Sequence, residues 1–342
     1  MRVIFDIVVT ILVFGLLILS HEAGHFFTAV WAKIKIHEFS IGMGPALFKR
    51  EGKLCRFCIR AFPIGGFVQM EGEDGDSDDE NSFTSKPKWK RFLVLVMGAT
   101  MNILMGFLLI CCVNATIAGY PTTEVAEFLP DAVSSVQLQQ GDKIISIDGY
   151  EVFSYMDLSY ALSRKSEDNP FDVTVIRDGS KIKLSNVAFP LVKDEKYGTF
   201  HDVDFKVYGE KRNVISVIRY SAGYTLSVSR SIYSSIFSMF TGKADFSQVS
   251  GPIGTASAIG DSAAVGLRTL LMMIAFISIN LGVMNLLPFP ALDGGRILLL
   301  GIEAIRRKPL NPKVESALNG VGLILLLGLM VVVAFKDIIN LF

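Results

Sequence analysis

Long stretches of apolar side chains, almost free of charge, mark four segments of this chain. Between Val3 and Ser20 the only charged residue is Asp6, and the apolar pattern continues to Trp31, too far for a cleaved secretory signal. Three further stretches contain no charged residue at all: Phe92 to Thr123, Thr269 to Leu292 and Ser316 to Phe335. A helix needs about 20 apolar residues to cross a bilayer core of ~30 Å. The pattern therefore predicts four transmembrane helices.

The distribution of Lys and Arg indicates the orientation of these helices, because short loops rich in basic residues stay in the cytoplasm. Eleven basic residues lie between Lys33 and Arg91, whereas only Arg2 and Lys336 lie near the chain ends. Five more follow the third apolar stretch: Arg296, Arg306, Arg307, Lys308 and Lys313. We therefore expect both basic loops in the cytoplasm, and both termini and residues 120–268 outside it.

The regions between the apolar stretches alternate between polar and apolar positions, as β-strands do. This holds for the loop after the first helix and for the region from Glu124 to about Val192, where Asp178-Gly179 predicts a hairpin turn. The run LQQGDKIISIDGYEV in the second region resembles the hallmark of PDZ domains, whose groove binds an extended peptide as an added strand. From about residue 213 to 241 the pattern is helical and amphipathic, and we expect this segment on the outer membrane face.

Together these patterns predict a polytopic α-helical membrane protein with four transmembrane helices, a cytoplasmic membrane-associated β-hairpin or sheet, and one extracytoplasmic PDZ-like domain. The predicted segments are the first transmembrane helix at 1–32, the cytoplasmic β-rich loop at 33–91, the second helix at 92–119, the PDZ-like domain at 120–195, an extracytoplasmic linker with amphipathic helices at 196–265, the third helix and the chain after it at 266–306, and the fourth helix at 314–336.

Composition agrees with a membrane protein and excludes two other classes. Of the 342 residues 51% are hydrophobic and 19% are charged, with a mean hydropathy of +0.45, whereas soluble domains contain about 25% charged residues. The 33 basic and 33 acidic residues cancel, so the chain has no surplus of positive charge with which to bind nucleic acid. Its four cysteines are too few for a disulfide scaffold.

The residues most informative about chemistry are His21-Glu22-Ala23-Gly24-His25, near the end of the first apolar stretch. Positions i and i+4 share a face of a helix, so His21 and His25 can reach one zinc ion. Glu22 is then placed to take a proton from a water at the metal. Ionisable residues inside a membrane helix cost free energy and are mostly functional. In this context the HExxH pattern predicts a catalytic zinc site.

A catalytic zinc usually takes three protein ligands, so a third ligand should lie at the depth of His21 on another span. At ~1.5 Å per residue, His21 lies about 27 Å along the first helix, towards its cytoplasmic end. The third span ends in NLLPFPALDGG, where Pro288 and Pro290 cannot continue a helix. Asp293 then lies on unwound chain at a similar depth. We expect it to be the third ligand, and it could also be the N-cap of the helix that follows.

Five features, in this order, resemble the site-2 protease family in its bacterial RseP form, the regulator-of-sigma-E protease type. They are HEAGHF, GFVQM, the PDZ-like insert, SGPIG at residues 250–254 and NLLPFPALDGG. The resemblance covers essentially the whole chain, although this chain has room for only one PDZ-like domain, whereas some relatives have two. It implies an intramembrane zinc metalloprotease, with Zn²⁺ as cofactor, in the bacterial cytoplasmic (inner) membrane. Its implied substrates are single-pass transmembrane proteins, namely trimmed anti-sigma factors and signal-peptide remnants.

Carried over by motif, the resemblance implies that His21, His25 and Asp293 are the zinc ligands and that Glu22 is the general base. It also implies that Asn285 forms a hydrogen bond with the substrate near the zinc.

A helical substrate must unwind before it is cut, because a helix hides its scissile bonds behind its own hydrogen bonds. The run from Ile64 to Met70 could bind the unwound chain as a sheet edge, with its glycines allowing close backbone approach. The expected contacts in this run are Gly65, Gly66, Phe67 and Val68. Further substrate contacts are expected beside Asn285, at Pro288 and Pro290.

Two functions from other classes compete with proteolysis. A membrane metal transporter could use the same His and Asp residues as a transit site, but Glu22 and the PDZ-like insert would then have no role. A catalytically inactive scaffold could bind membrane partners through the PDZ-like domain, but the complete HExxH and LDGG motifs argue against a loss of catalysis.

The other polar candidates carry less information. His37 and His201 are expected to be ordinary polar residues, and Asn102 either lines the active cavity or makes a polar contact between helices. Cys55 and Cys58 form a CxxC without a second pair, which favours reduced thiols over a structural zinc. The acidic run EGEDGDSDDE departs from a calcium-binding loop and is interpreted as a solvated linker.

Overall fold

The computed structural model describes residues 2–73, 75, 77–165, 169–194, 198–241, 251–308 and 310–339. Ser250 of the SGPIG motif and Asp74 and Asp76 of the acidic run lie outside these residues. The chain divides into two compact units, one formed by Met1–Leu109 with Ser235–Phe342 and the other by Ile110–Ser234.

In chain order the elements are α1 (Arg2–Ala32), β1 (Ile36–Glu51), β2 (Arg56–Met70), α2 (Lys88–Asn114), β3 (Gly119–Phe128), a 3₁₀ turn (Val133–Val136), β4 (Lys143–Ile147), β5 (Tyr150–Glu151), α3 (Tyr155–Ser163), β6 (Phe171–Arg177), β7 (Ser180–Val187), β8 (Leu191–Asp194), β9 (Gly198–His201), β10 (Phe205–Lys211), α4 (Val214–Phe240), α5 (Pro252–Val265), α6 (Leu267–Asn285), α7 (Asp293–Arg306) and α8 (Pro312–Ile339).

Four helices in the described part of the chain are long and apolar enough to cross a membrane, as the sequence predicts: α1, α2, α6 and α8. Two of them differ from the predicted bounds. α2 begins at Lys88 and α8 runs to Ile339, because charged residues at these ends do not interrupt the helices, whereas α2 already ends at Asn114, before its predicted bound at 119. The predicted break after α6 is present, since residues 286–292 are not helical.

The first unit packs α1 and α2 against the sheet formed by β1 and β2. Phe26 of α1, Val68 of β2 and Val94 of α2 belong to one buried apolar cluster. Residues 38–41 of β1 pair with 56–59 on one side and with 66–69 on the other. Among the described residues, 66–70 have no second strand partner, so this run forms an edge of the sheet.

The second unit contains a sheet with the strand order β10-β3-β4-β6-β7, to which β5 adds by pairing with β4. Asp178 and Gly179 form the predicted turn between β6 and β7, with φ of 49° and 76°. Asp142, fully buried, accepts two hydrogen bonds of 2.7 Å from Arg177 and so ties β6 to the loop before β4.

The sheet continues past residue 195, where the sequence places a linker. β10 pairs along β3, from Phe205 opposite Phe128 to Lys211 opposite Gly119. Four of its seven residues are charged or glycine, so the sequence lacks the alternation of polar and apolar positions that predicts a strand. We call residues 119–211 the sheet domain.

α4 is the amphipathic helix expected from the sequence, and its polar face is the buried one. Ser221 accepts a hydrogen bond of 2.9 Å from Asn114, and Ser227 donates one of 2.5 Å to the buried carboxylate of Asp157. The apolar side chains of Val214 and Ile215 are about three-quarters exposed, at 76% and 74%. An exposed apolar face is typical of a helix that lies on a membrane.

Candidate metal centre

The two histidines of the HExxH motif lie one turn apart on α1 and point to the same place. Their Nε2 atoms are 3.2 Å apart. The imidazole of His25 is fixed from behind, because its Nδ1 donates a 2.8 Å hydrogen bond to the carbonyl of Val94 on α2. This bond places the proton on Nδ1 and leaves the lone pair of Nε2 free for a metal.

Asp293 brings its carboxylate to the same point from α7. Its Oδ2 lies 3.3 Å from His21 Nε2 and 3.4 Å from His25 Nε2. The sequence places Asp293 on unwound chain or at an N-cap, but the N-cap is Leu292 and Asp293 is the first residue of the helix. The unwound segment ends one residue earlier than expected, because Gly295 and Arg296 already donate to the Leu292 carbonyl.

The glycines of the LDGG motif allow α7 to begin directly against the unwound segment. A Cβ atom at Gly294 would lie 2.2 Å from the carbonyl oxygen of Leu287, and one at Gly295 would lie 2.2 Å from that of Phe289. Pro288 and Pro290, predicted as substrate contacts, belong to this segment, and Pro290 packs against Gly322 of α8. The motif therefore fixes the position of Asp293.

His21 is contacted on its far side by two amides. Asn102 of α2 and Asn285 at the end of α6 each place Nδ2 3.4 Å from His21 Nδ1. The backbone oxygen of Asn102 also accepts a 2.7 Å hydrogen bond from Ser278 of α6. The sequence leaves open whether Asn102 lines the cavity or makes a polar contact between helices. In the structure it does both.

Gly98 of α2 is a site residue that sequence reasoning did not identify. A Cβ atom there would lie 2.2 Å from His25 Nε2 and 2.8 Å from His21 Cε1. The helices are similarly close at the neighbouring residue, because a Cβ atom at Gly24 would lie 2.3 Å from the backbone carbonyl oxygen of Met97. In the sequence, Gly98 is recognisable only as a glycine in the middle of an apolar helix, four residues before Asn102. That it faces the two histidines follows from the way α2 crosses α1.

Glu22 lies between the two histidines in sequence, buried with 9% of its surface exposed, and β2 passes close to it. A Cβ atom at Gly66 would lie 3.0 Å from Glu22 Cγ and 2.9 Å from the carbonyl oxygen of Ser40. Gly65 has φ of 74°, in the left-handed region that favours glycine. The predicted edge run therefore passes directly beside the carboxylic acid of the motif.

Phe67 and Val68, the other two predicted contacts in this run, are positioned by their packing within the β1–β2 sheet unit. Arg60 lies over the ring of Phe67, 5.1 Å from its centre, and donates hydrogen bonds to Glu38 and Ser40. Val68 is buried, with 6% of its surface exposed.

The donor set fits a zinc ion on two grounds. A tetrahedral site with metal–ligand distances of about 2.0–2.1 Å has about 3.3–3.4 Å between neighbouring ligand atoms, and the three atoms here are 3.2, 3.3 and 3.4 Å apart. Asp293 Oδ2 is also buried without a hydrogen-bond partner, which is unusual for a charged oxygen. Within the described residues these three form the only cluster of metal-binding side chains.

The remaining candidates lie elsewhere. His37 is 2.7 Å from Glu71, whose pKa is lowered by hydrogen bonds from Ser77 and His37. His201 is a buried core residue whose Nδ1 donates a 2.9 Å hydrogen bond to the carbonyl of Phe189. The thiols of the CxxC are free, and burial raises the pKa of each, as expected for reduced cysteines.

Comparison with known proteins gives one family. The model of peptidase family M50 matches residues 9–329. A Clostridium acetobutylicum protein named as a zinc metalloprotease is 34% identical over 98% of both chains. The regulator of sigma-W protease RasP of Bacillus subtilis is 30% identical over 98% of this chain and 99% of its own. The zinc metalloprotease RasP of Bacillus licheniformis is 29% identical over the same shares.

Proposed function

The chain belongs to peptidase family M50 and is a zinc metalloprotease, and we propose that it cleaves the transmembrane segments of single-pass membrane proteins inside the membrane. The observation that carries this proposal is the convergence of His21, His25 and Asp293 within a bundle of apolar helices. Soluble metalloproteases have no need to place such a site on membrane-spanning helices.

In this proposal His21, His25 and Asp293 hold the zinc, which when bound would polarise the scissile carbonyl and acidify a water. Glu22 takes the proton of the attacking water and returns it to the leaving amine. Asn285 orients the substrate beside the site, and Val94 keeps His25 in the tautomer that binds metal. A transporter would have no use for a buried acid beside the donor atoms, so the position of Glu22 favours hydrolysis.

The substrate strand is proposed to add to the free edge of β2 at Gly66–Met70. Three observations support this: these residues pair with β1 on one side only, Gly66 allows the β2 backbone to pass close to Glu22, and the guanidinium of Arg60 lies over the ring of Phe67. Backbone hydrogen bonds along the edge would replace those that the substrate loses on unwinding. Residues 288–290 would contact the same strand from the other side.

The substrates are proposed to be anti-sigma factors already trimmed outside the membrane, and signal-peptide remnants. RasP of Bacillus subtilis is a regulator of sigma-W, which supports the first class. The β1–β2 sheet is proposed to lie in the cytoplasm, and the termini and the sheet domain outside it, in a bacterial cytoplasmic membrane; the basic residues of the two short loops support this orientation. The sheet domain, PDZ-like in sequence, would then control which substrates reach the site.

The roles of the motif residues are tested with Glu22→Gln. The amide cannot accept a proton, but it preserves the size of the side chain and leaves the three donors in place. We expect the purified variant to contain zinc in the wild-type ratio and to cleave a single-pass substrate at least about 100-fold more slowly, given the ~10²–10⁴-fold contribution of general bases. The control Glu127→Gln changes an exposed acid of the sheet domain and should cleave normally. Parental activity in Glu22→Gln would exclude Glu22 as the base.

A further inference from the structure

His21 carries a contact that the proposed ligand roles do not explain. Two amide groups, those of Asn102 and Asn285, lie at the same distance of 3.4 Å from its Nδ1. A neutral imidazole has one ring N–H and one lone pair. When Nε2 binds a metal, Nδ1 carries the hydrogen and needs an acceptor.

An amide can meet this need, because its oxygen and nitrogen have the same shape and a half-turn of the side chain exchanges them. His25 solves the same problem with a backbone carbonyl, that of Val94. No backbone carbonyl among the described residues hydrogen-bonds to His21 Nδ1, and the two amides are its only side-chain partners there. One amide oxygen should therefore take the part that Val94 plays for His25.

Asn102 is better suited to this part than Asn285. It is completely buried, and its Oδ1 has no hydrogen-bond partner, a costly state for an amide oxygen. Its backbone carbonyl accepts a hydrogen bond from Ser278, which fixes the position from which the side-chain amide extends. Asn285 is partly exposed at the end of α6, which leaves its amide accessible to a substrate.

We propose that Asn102 is a positioning residue whose Oδ1 accepts the hydrogen of His21 Nδ1 and so holds His21 ready to bind zinc, leaving Asn285 free for the substrate. This deepens the proposed function, since it rests on His21 being a zinc ligand. Contacts of this kind change metal affinity by about 10–100-fold.

The test measures the rate at which zinc passes from the purified protein to a chromogenic chelator. Asn102→Leu retains the size of the side chain without an acceptor, and zinc release should be at least about tenfold faster. Asn102→Asp restores an acceptor oxygen and should release zinc close to the wild-type rate. Asn114→Leu is the matched control, because Asn114 is another buried asparagine of α2 and hydrogen-bonds to Ser221, away from the site. It should leave zinc release unchanged.

A second readout separates positioning from a general loosening of the helices. In Co²⁺-substituted protein the visible absorption bands report the ligand geometry, and they should shift in Asn102→Leu but not in Asn114→Leu. If Asn102→Leu does not elute as folded protein, Asn102→Ala serves in its place. Asn285→Leu should raise KM without accelerating zinc release.

Equal zinc release from Asn102→Leu and wild type, or fast release from Asn285→Leu instead, would overturn the proposal. Because the readout is metal release, the result is independent of cleavage. A wild-type protein that binds zinc in this way but cleaves no transmembrane substrate would contradict the proposed function and leave the role of Asn102 intact.

Discussion

His21 and His25 of the proposed metal centre are contacted by residues that lie outside the HExxH motif. The HExxH spacing predicts that both imidazoles share a face of α1, and LDGG supplies Asp293. The groups that contact their Nδ1 atoms include Val94 and Asn102, which belong to another helix. A sequence pattern reports neighbours along one helix, whereas contacts across a helix crossing depend on the rotation and register of both helices.

Gly98 is the residue at which the site leaves least space, and we expect Gly98→Ala to lose zinc and activity. The added methyl group would collide with His25 Nε2 and His21 Cε1. A displacement of about 1 Å at such a site costs roughly 100-fold in rate. The control is Gly15→Ala in α1, where nothing lies within 4 Å of the new Cβ. Zinc content and cleavage of one substrate are measured for both, and wild-type zinc binding in Gly98→Ala would contradict the close approach.

Glu38 makes the stability of the β1–β2 sheet sensitive to acid. Burial by itself would raise the pKa of Glu38, but the hydrogen bonds and charge of Arg60 outweigh it, and the pKa lies below its usual value. The ion pair therefore stabilises the fold at a pH above the unfolded value of about 4.3, and this contribution disappears as the pH falls through the lower folded pKa.

We expect the thermal unfolding temperature of the detergent-solubilised protein to fall between about pH 5 and pH 3, and to fall less in Glu38→Gln. Glu127→Gln, which changes an exposed ion pair, should behave as wild type. Identical pH profiles of Glu38→Gln and wild type would show that the pair does not contribute.

At the scale of elements, the sequence predicts the features that depend on local pattern. The four apolar stretches become helices, and the Pro-Phe-Pro segment ends α6 because proline cannot continue a helix. β10 was missed because strand pairing is a long-range property: it lies next to β3, more than 70 residues earlier in the chain. The edge of β2 was predicted, but its approach to Glu22 through Gly66 follows only from the packing of α1 on the sheet.

The proposed edge is tested by comparing Val68→Pro with Phe67→Ala. Proline removes a backbone donor and blocks the approach of a strand, so Val68→Pro should reduce cleavage of a helical transmembrane substrate at least about tenfold. Because Val68 is buried, zinc content must be equal to wild type for the comparison to hold.

If the run only packs the sheet against the membrane, Phe67→Ala should reduce cleavage more than the proline does. Full activity in zinc-loaded Val68→Pro would remove strand addition from the mechanism, and residues 288–290 beside Asn285 would then be the next candidate for unwinding the substrate.

At the scale of the whole molecule, chemistry and selection are proposed to be separate. All four residues of the catalytic proposal, His21, Glu22, His25 and Asp293, belong to the first unit. The sheet domain belongs to the second, and its ends are adjacent, since Arg212 donates a 3.4 Å hydrogen bond to the carbonyl of Ala118. Residues 119–211 can therefore be removed by joining Ala118 to Arg212 directly.

We expect this deletion to retain zinc and to cleave substrates whose outer domains have not been trimmed, which the full chain should reject. A deletion that ended at the sequence-based boundary, residue 195, would have left β10 without its partner β3. The deletion therefore extends to residue 211. The measurement compares cleavage of trimmed and untrimmed forms of one substrate. Loss of zinc from a well-folded deletion variant would contradict the division of labour.

The most direct test of intramembrane zinc proteolysis is to map the bond that the purified protein cuts in a single-pass substrate, by mass spectrometry of the products. The account predicts a cut within the apolar transmembrane segment, abolished by 1,10-phenanthroline, restored by Zn²⁺ and absent in Glu22→Gln. A cut confined to residues outside that segment, or one that persists with the chelator present, would contradict it.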